Sequence, residues 1–142
     1  MIVLDTNIVS EVMATTPSLN VLSWINEQNT ETLYLTTITI AEIGYGIRIL
    51  PKGKRRYQLE ERFEQFIARG FEHRILDFDE EAAKIYSEVM AHRREIGHPM
   101  SVPDGQIAAI VRSKGFMIAT RNIRDFEDCN LELFDPFLYK TT

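Results

Sequence analysis

Met1-Ile2-Val3-Leu4-Asp5-Thr6-Asn7 is the stretch that decides the fold. A short apolar run closed by a carboxylate reads as the first, buried strand of an α/β sheet. Such a strand delivers Asp5 to the carboxyl edge of the sheet, where open α/β sheets bind their ligands. Further candidates lie downstream, each at the start of an expected helix or just past an expected strand: Glu42, Asp104, and the pair Asn122 and Asp125.

Working outward, strand and helix signals alternate. The first strand spans Ile2 to Asp5. A short helix runs from Asn7 to about Met13 and is broken by Thr15-Thr16-Pro17. Ser18 caps a helix carrying Val21, Leu22 and Ile25. Leu33 to Thr36 reads as a second strand. Thr39 opens a helix with Ile40, Ile43, Ile47 and Leu50 at helical spacing, stopped by Pro51. A long helix follows, with Leu59, Phe63, Phe66 and Ile67 on one stripe. His73 to Phe78 reads as a third strand. Asp79 caps a helix with Ala82, Ile85, Tyr86, Val89 and Met90 in register, which Gly97 terminates. Ser101 caps another, with Pro103 in its first turn and Gly115 at its end. Phe116 to Thr120 is a fourth strand and Leu131 to Phe134 a short last one. The expected fold is a mostly parallel sheet of four to five strands with helices on both faces. The excursion from Thr39 to Gly70 has two helices and no strand, and is expected to project as an arm.

Composition narrows the classes. A chain of 142 residues with 44% apolar residues suits one domain around one core. No apolar run approaches the roughly 18 to 20 residues that span a bilayer, and the apolar run at the N-terminus is too short for a signal peptide. Cys129 is the single cysteine, in keeping with a reducing cytoplasm, and the three histidines (His73, His92, His98) are scattered. The net charge of −5 is not that of a default nucleic-acid binder, but carboxylates gathered around a metal would contribute to it. Basic residues cluster at Lys52, Lys54, Arg55 and Arg56, at Arg93/Arg94 and at Arg121/Arg124; charge patterning reads each cluster as a solvated face.

Each acidic candidate has a plain structural explanation. Asp5 can form an Asx-turn that starts the next helix. Glu42 lies three residues after Thr39, and Asp104 three after Ser101, both at capping-box spacing. A turn explains Asn122 and Asp125. Their positions nevertheless agree, because strand ends and helix starts that follow parallel strands share one edge of the sheet. Two like charges about 4 Å apart repel by about 4 kcal/mol at an effective dielectric near 20. Several carboxylates in one cleft therefore need a compensating cation or proton. Magnesium is a hard cation that prefers oxygen ligands and keeps several waters. Metal-assisted hydrolysis of a phosphodiester is the chemistry suited to such a site.

Four segments together carry a family likeness: Ile2-Val3-Leu4-Asp5-Thr6-Asn7, Thr39-Ile40-Ala41-Glu42, Pro103-Asp104-Gly105-Gln106-Ile107-Ala108-Ala109, and Ala119-Thr120-Arg121-Asn122-Ile123-Arg124-Asp125-Phe126. In order and in spacing they resemble the PIN-domain ribonucleases and, more narrowly, the VapC/FitB-like toxins of bacterial toxin–antitoxin pairs. The resemblance covers nearly the whole chain and implies a single PIN domain over residues 1–142. It implies a magnesium-dependent endoribonuclease, with manganese able to substitute, in which Asp5 and Asp104 ligate metal directly and Glu42 acts through a water molecule. Asn122 stands where the family often has a fourth acid. An amide oxygen can still ligate or bind water but carries no charge, so either Asp125 supplies it or the site holds a single tight ion. The resemblance further implies that Thr6 and Thr120 orient the acids. Arg121 either contacts the scissile phosphate or is a surface arginine.

The same likeness implies partners. The family pairs with a small antitoxin whose basic C-terminal segment occupies the acidic groove. It forms homodimers and larger assemblies with antitoxin, and touches DNA through the antitoxin. Structured RNA, tRNA above all, is its commonest target, and cleavage inhibits translation and growth in the bacterial cytoplasm. Two other functions compete. A haloacid-dehalogenase-type phosphatase also places an aspartate after its first strand, but wants a second aspartate where this chain has Asn7. A catalytically degenerate PIN-like module for protein binding is the other, favoured by Asn122.

Overall fold

Five strands, β1 (Ile2–Leu4), β2 (Leu33–Thr36), β3 (Ile75–Leu76), β4 (Met117–Ala119) and β5 (Leu133–Phe134), form one sheet in the order β3-β2-β1-β4-β5. Every pairing is parallel. The structure is a computed structural model describing residues 1–140; Thr141 and Thr142, the end of the expected domain, lie outside the described residues. Helices α1 (Thr6–Val12), α2 (Leu19–Glu27), α3 (Thr37–Arg48), α4 (Lys54–Gly70), α5 (Glu80–Glu95) and α6 (Val102–Lys114) connect the strands and cover both faces.

The strand side chains alternate between two apolar layers, as the pleat requires. Leu4, Leu33, Leu35 and Ala119 face α1 to α4, where Ile8, Val21, Trp24, Ile43 and Phe63 are buried. Val3 and Ile118 face α5 and α6 and pack with Val89, Ile107, Ala108 and Val111. Because both faces are covered, β1 reads as an unbroken apolar run. α6 lies between the sheet and α5, and its Ile107, Ala108, Ala109, Ile110 and Val111 are all buried. The caps at Ser18, Asp79 and Ser101 are formed by the expected side chains, and Gly115 ends α6 at φ 69°, the left-handed position a glycine takes without strain.

Several expected boundaries are corrected. β3 covers Ile75–Leu76 rather than residues 73–78. His73 sits at φ 66°, and the Arg74 N–H turns back to the Phe71 carbonyl, so the chain reaches Ile75 through a turn. β5 is two residues shorter than expected, β4 loses Phe116 and Thr120 from its ends, and β1 ends at Leu4 rather than Asp5. α1 begins at Thr6, with Asp5 as its N-cap, rather than at Asn7. α3 begins at Thr37 rather than Thr39, because Thr36 is the cap whose Oγ1 accepts from the Thr39 N–H at 3.1 Å.

The excursion over residues 39–70 holds α3 and α4 and no strand. Its basic tip, Lys52, Lys54 and Arg55, is exposed. Its α4 stripe is nevertheless tied to the body: Phe63 is buried in the first core layer, with Leu59, Phe66 and Ile67 packed against it. No helix of the described residues is long and apolar enough to cross a membrane.

A candidate metal centre at the carboxyl edge of the sheet

The strand order places β1 at the centre. The connections after β1 and β2 run to one side, and the connection after β3 crosses to β4 on the other side of β1. The sheet therefore has its topological switch point between β1 and β4, and the crevice outside their carboxyl ends is where α/β sheets bind ligands. Asp5 follows β1 there, and Thr120 to Asn122 follow β4. A cleft of about 590 Å³ at that place is lined by Asp5, Thr6, Glu42, Asp104, Asn122 and Asp125 together with Asn7, Ser10, Glu11 and Ser101.

Asp5 is 4% exposed, and each of its carboxylate oxygens accepts one hydrogen bond. Its Oδ1 accepts from the Thr6 N–H at 2.8 Å, and its Oδ2 accepts from the Thr120 hydroxyl at 2.8 Å. Burial is the largest influence on its carboxyl and pushes it from 3.8 up to about 6. The bonds from Thr120 and Thr6 act against burial, and the charges of Asp104 and Glu42 add to it. Thr120 has no further capacity: its oxygen also accepts from the Asn122 N–H at 3.1 Å and from Asn7 Nδ2 at 3.4 Å. The other end of the Asn7 amide accepts from the Arg121 N–H at 3.2 Å. Asn7 thus pins the turn after β4 to the turn after β1.

Glu42 is not in a capping box, since Thr36 rather than Thr39 is the cap and Glu42 lies one turn further along α3. Instead its Oε1 accepts from the Thr6 hydroxyl at 2.8 Å. With that proton committed, the 3.0 Å contact between Thr6 and Thr39 requires the Thr39 hydroxyl to donate. Thr39 in turn lies 3.4 Å from the buried Thr36 hydroxyl. A row of hydroxyls from the end of β2 thereby orients Glu42 toward the cleft.

Asp104 occupies the third position of α6, where its N–H reaches Ser101 Oγ at 3.3 Å. Its carboxyl is raised above the usual range, chiefly by burial and also by the charges of Asp125 and Glu42, while Ser101 and Arg93 lower it. Asn122 caps the short 3-10 turn Ile123–Phe126 without any side-chain capping bond, so its amide is not consumed by the turn. Thr120 stands behind Asp5, buried rather than in the cleft. Arg121 does not line the cleft; its guanidinium stacks 4.4 Å from the centre of the Phe137 ring.

All donors in the cleft are oxygen or amide, the set a hard divalent cation takes. Among the described residues no three histidine, cysteine or acidic side chains are gathered tightly enough to ligate one ion together. Magnesium needs only one or two carboxylates and keeps its remaining places for water, so the donor set fits that ion. A larger cleft of about 1110 Å³ between the end of α1 and α4 is lined by Met13, Arg55, Leu59, Arg62 and Phe66 among others and gathers no such cluster.

The sequence reading missed several residues. Asn7, Ser10 and Glu11 share a face of α1 at spacings of three and four, a signal available in the sequence. Arg93 is corrected from a solvated position to a buried one, 5% exposed. It continues the stripe that holds Ala82 and Val89, which could have revealed it.

The family model for the PIN domain matches residues 2–130. The chain is similar to VapC ribonuclease Y4jK of Sinorhizobium fredii, with 41% identity over 96% of this chain and 98% of the relative. It is 36% identical to toxin FitB of Neisseria gonorrhoeae over 96% of this chain and 99% of that one. Among solved structures it resembles a chain of FitAB bound to an IR36 DNA fragment, with a TM-score of 0.92 and 35% identity, covering 99% of each chain.

Proposed function

The chain belongs to the PIN-domain family, in its VapC/FitB group of toxin–antitoxin ribonucleases, and from that premise we propose that it is a magnesium-dependent endoribonuclease that hydrolyses structured RNA, tRNA foremost. Manganese is able to replace magnesium. Cleavage in the bacterial cytoplasm halts translation and growth until a cognate antitoxin binds.

The observation that carries this reading is the meeting of Asp5, Glu42, Asp104, Asn122 and Asp125 in one cleft at the switch point of the sheet. Asp5 and Asp104 are the direct ligands. A bound divalent cation supplies the charge that makes water nucleophilic and steadies the departing oxygen. Glu42, aimed by Thr6 and Thr39, accepts a hydrogen bond from the attacking water. Asn122 and Asp125 complete the wall: the amide orients water, and the carboxylate supplies the charge that Asn122 lacks. Thr120 and Thr6 hold Asp5 with both oxygens fixed. Arg121 stacks on Phe137 and is not part of the cleft lining.

The acidic cleft also suits the antitoxin, because a basic side chain placed there relieves the same repulsion. A homodimer, and larger assemblies with antitoxin, complete the arrangement. DNA is contacted through the antitoxin, in keeping with the DNA-bound FitAB complex among the similar structures. The test is direct. Asp5→Asn and Asp104→Asn should each abolish cleavage of total RNA with magnesium and relieve growth arrest, with circular dichroism unchanged. Cleavage at the wild-type rate by either variant would remove the assignment.

A further inference from the structure

α5 carries an arginine whose surroundings the chemistry above does not use. Arg93 is 5% exposed, and none of the ion pairs among the described residues includes it. A buried cation without a carboxylate is costly unless its donors are satisfied. Here backbone carbonyls accept from Nε and Nη1, three hydrogen bonds in all. Nε donates to the His98 carbonyl at 2.7 Å, and Nη1 donates to the carbonyls of Glu127 at 2.8 Å and Asp125 at 3.1 Å. Nη1 also lies 3.6 Å from Cys129 Sγ. The Arg93 carbonyl accepts from the His98 N–H at 2.9 Å, which closes the Gly97 turn (φ 80°) at the end of α5.

These partners belong to two different segments. His98 begins the link that leads through Met100 to Ser101 and Asp104. Asp125 and Glu127 belong to the loop after β4, the loop that carries Asn122. We propose that Arg93 is a positioning residue of the metal centre: its guanidinium staples the link into α6 to the loop after β4, and so fixes Asp104 relative to Asn122 and Asp125. The planar fork of arginine serves this because it donates in two directions at once; a lysine offers one compact charge on a flexible stem. This inference rests on the nuclease reading above.

The experiment compares wild type, Arg93→Lys and Arg93→Met, with Phe63→Leu as a control on the opposite face of the sheet. Each is assayed fully folded by circular dichroism, for Mn²⁺ affinity by calorimetry and for kcat and KM on RNA with magnesium. Loss of a residue that orients metal ligands costs about 10- to 100-fold. Arg93→Met should lose that much in Mn²⁺ affinity and in kcat, with KM little changed. Arg93→Lys should keep the charge and still lose several-fold, whereas Phe63→Leu should lower the unfolding midpoint alone. If Arg93→Met does not fold, Arg93→Lys decides the matter by itself. Folded Arg93 variants with wild-type Mn²⁺ affinity and kcat overturn the staple and leave the nuclease standing. Full recovery in Arg93→Lys overturns it too, since charge without the fork would then suffice. Wild-type protein that neither binds Mn²⁺ nor cleaves RNA overturns the nuclease reading, and this inference with it.

Discussion

Asp5 holds the conflict between stability and chemistry in a single side chain. Burial lifts its carboxyl from 3.8 to about 6, against the pull of Thr120 and Thr6. An acid whose folded value exceeds its unfolded value binds its proton more tightly in the fold. Between about pH 4 and 6 the folded state therefore holds more protons than the unfolded one, and stability falls as pH rises. Once both states are ionised, the gap from 3.8 to about 6 corresponds to about 3 kcal/mol. Metal-free wild type should lose about that much across this window, and Asp5→Asn, which has no carboxyl to titrate there, should not show that fall. Denaturant titrations in EDTA at several pH values measure both; equal pH dependence in the two proteins would contradict the assignment. Thr120→Val removes the bond that favours the ionised form. Its cleavage profile should shift to higher pH on the acid side, with rates falling more at pH 6 than at pH 8. An unshifted acid limb would count against this role for Thr120.

Among the elements, α6 carries Asp104 and depends on the glycine beside it. A Cβ on Gly105 would collide with Met90 Sδ and stand 3.0 Å from Tyr86 Cε2, both on α5. Alanine gains about 1 kcal/mol of helix propensity, but overpacking costs about 1 to 3 kcal/mol. Gly105→Ala should therefore lose about 1 kcal/mol in urea unfolding, and Met90→Ala in the same chain should return part of it. A more stable Gly105→Ala would show that α5 yields without strain. Much at this scale was legible in the sequence. β1 announces itself because both its faces are buried, and Ser18, Asp79 and Ser101 cap their helices because cap chemistry is local. What was not legible depends on tertiary contacts. Residues 36, 37 and 39 are all threonines able to cap α3, and the point where β2 leaves the sheet selects Thr36. Nothing local marks the left-handed turn at His73 that shortens β3. Arg93 looked like a surface charge because its partners are carbonyls 5 to 34 residues away, invisible to charge patterning.

At the level of the whole molecule, the order β3-β2-β1-β4-β5 is what makes the site possible. It sets the loop after β1 beside the loop after β4, although the Thr120 and Asp5 side chains that meet there are 115 residues apart in the chain. α3 and α6 then bring Glu42 and Asp104 to the same crevice from opposite faces of the sheet. That convergence was readable from four short segments; the hydroxyl and amide links through Thr6, Asn7, Thr39 and Thr120 that lock it were readable only in part. The claim on which the rest stands is that these distant segments together form a divalent-cation site. Calorimetric titration of Mn²⁺ into wild type, Asp5→Asn and Asp104→Asn at pH 7.5 tests it most directly. Saturable binding by wild type that is abolished in Asp5→Asn and severely weakened in Asp104→Asn is the expected result; superimposable isotherms for all three proteins would contradict it.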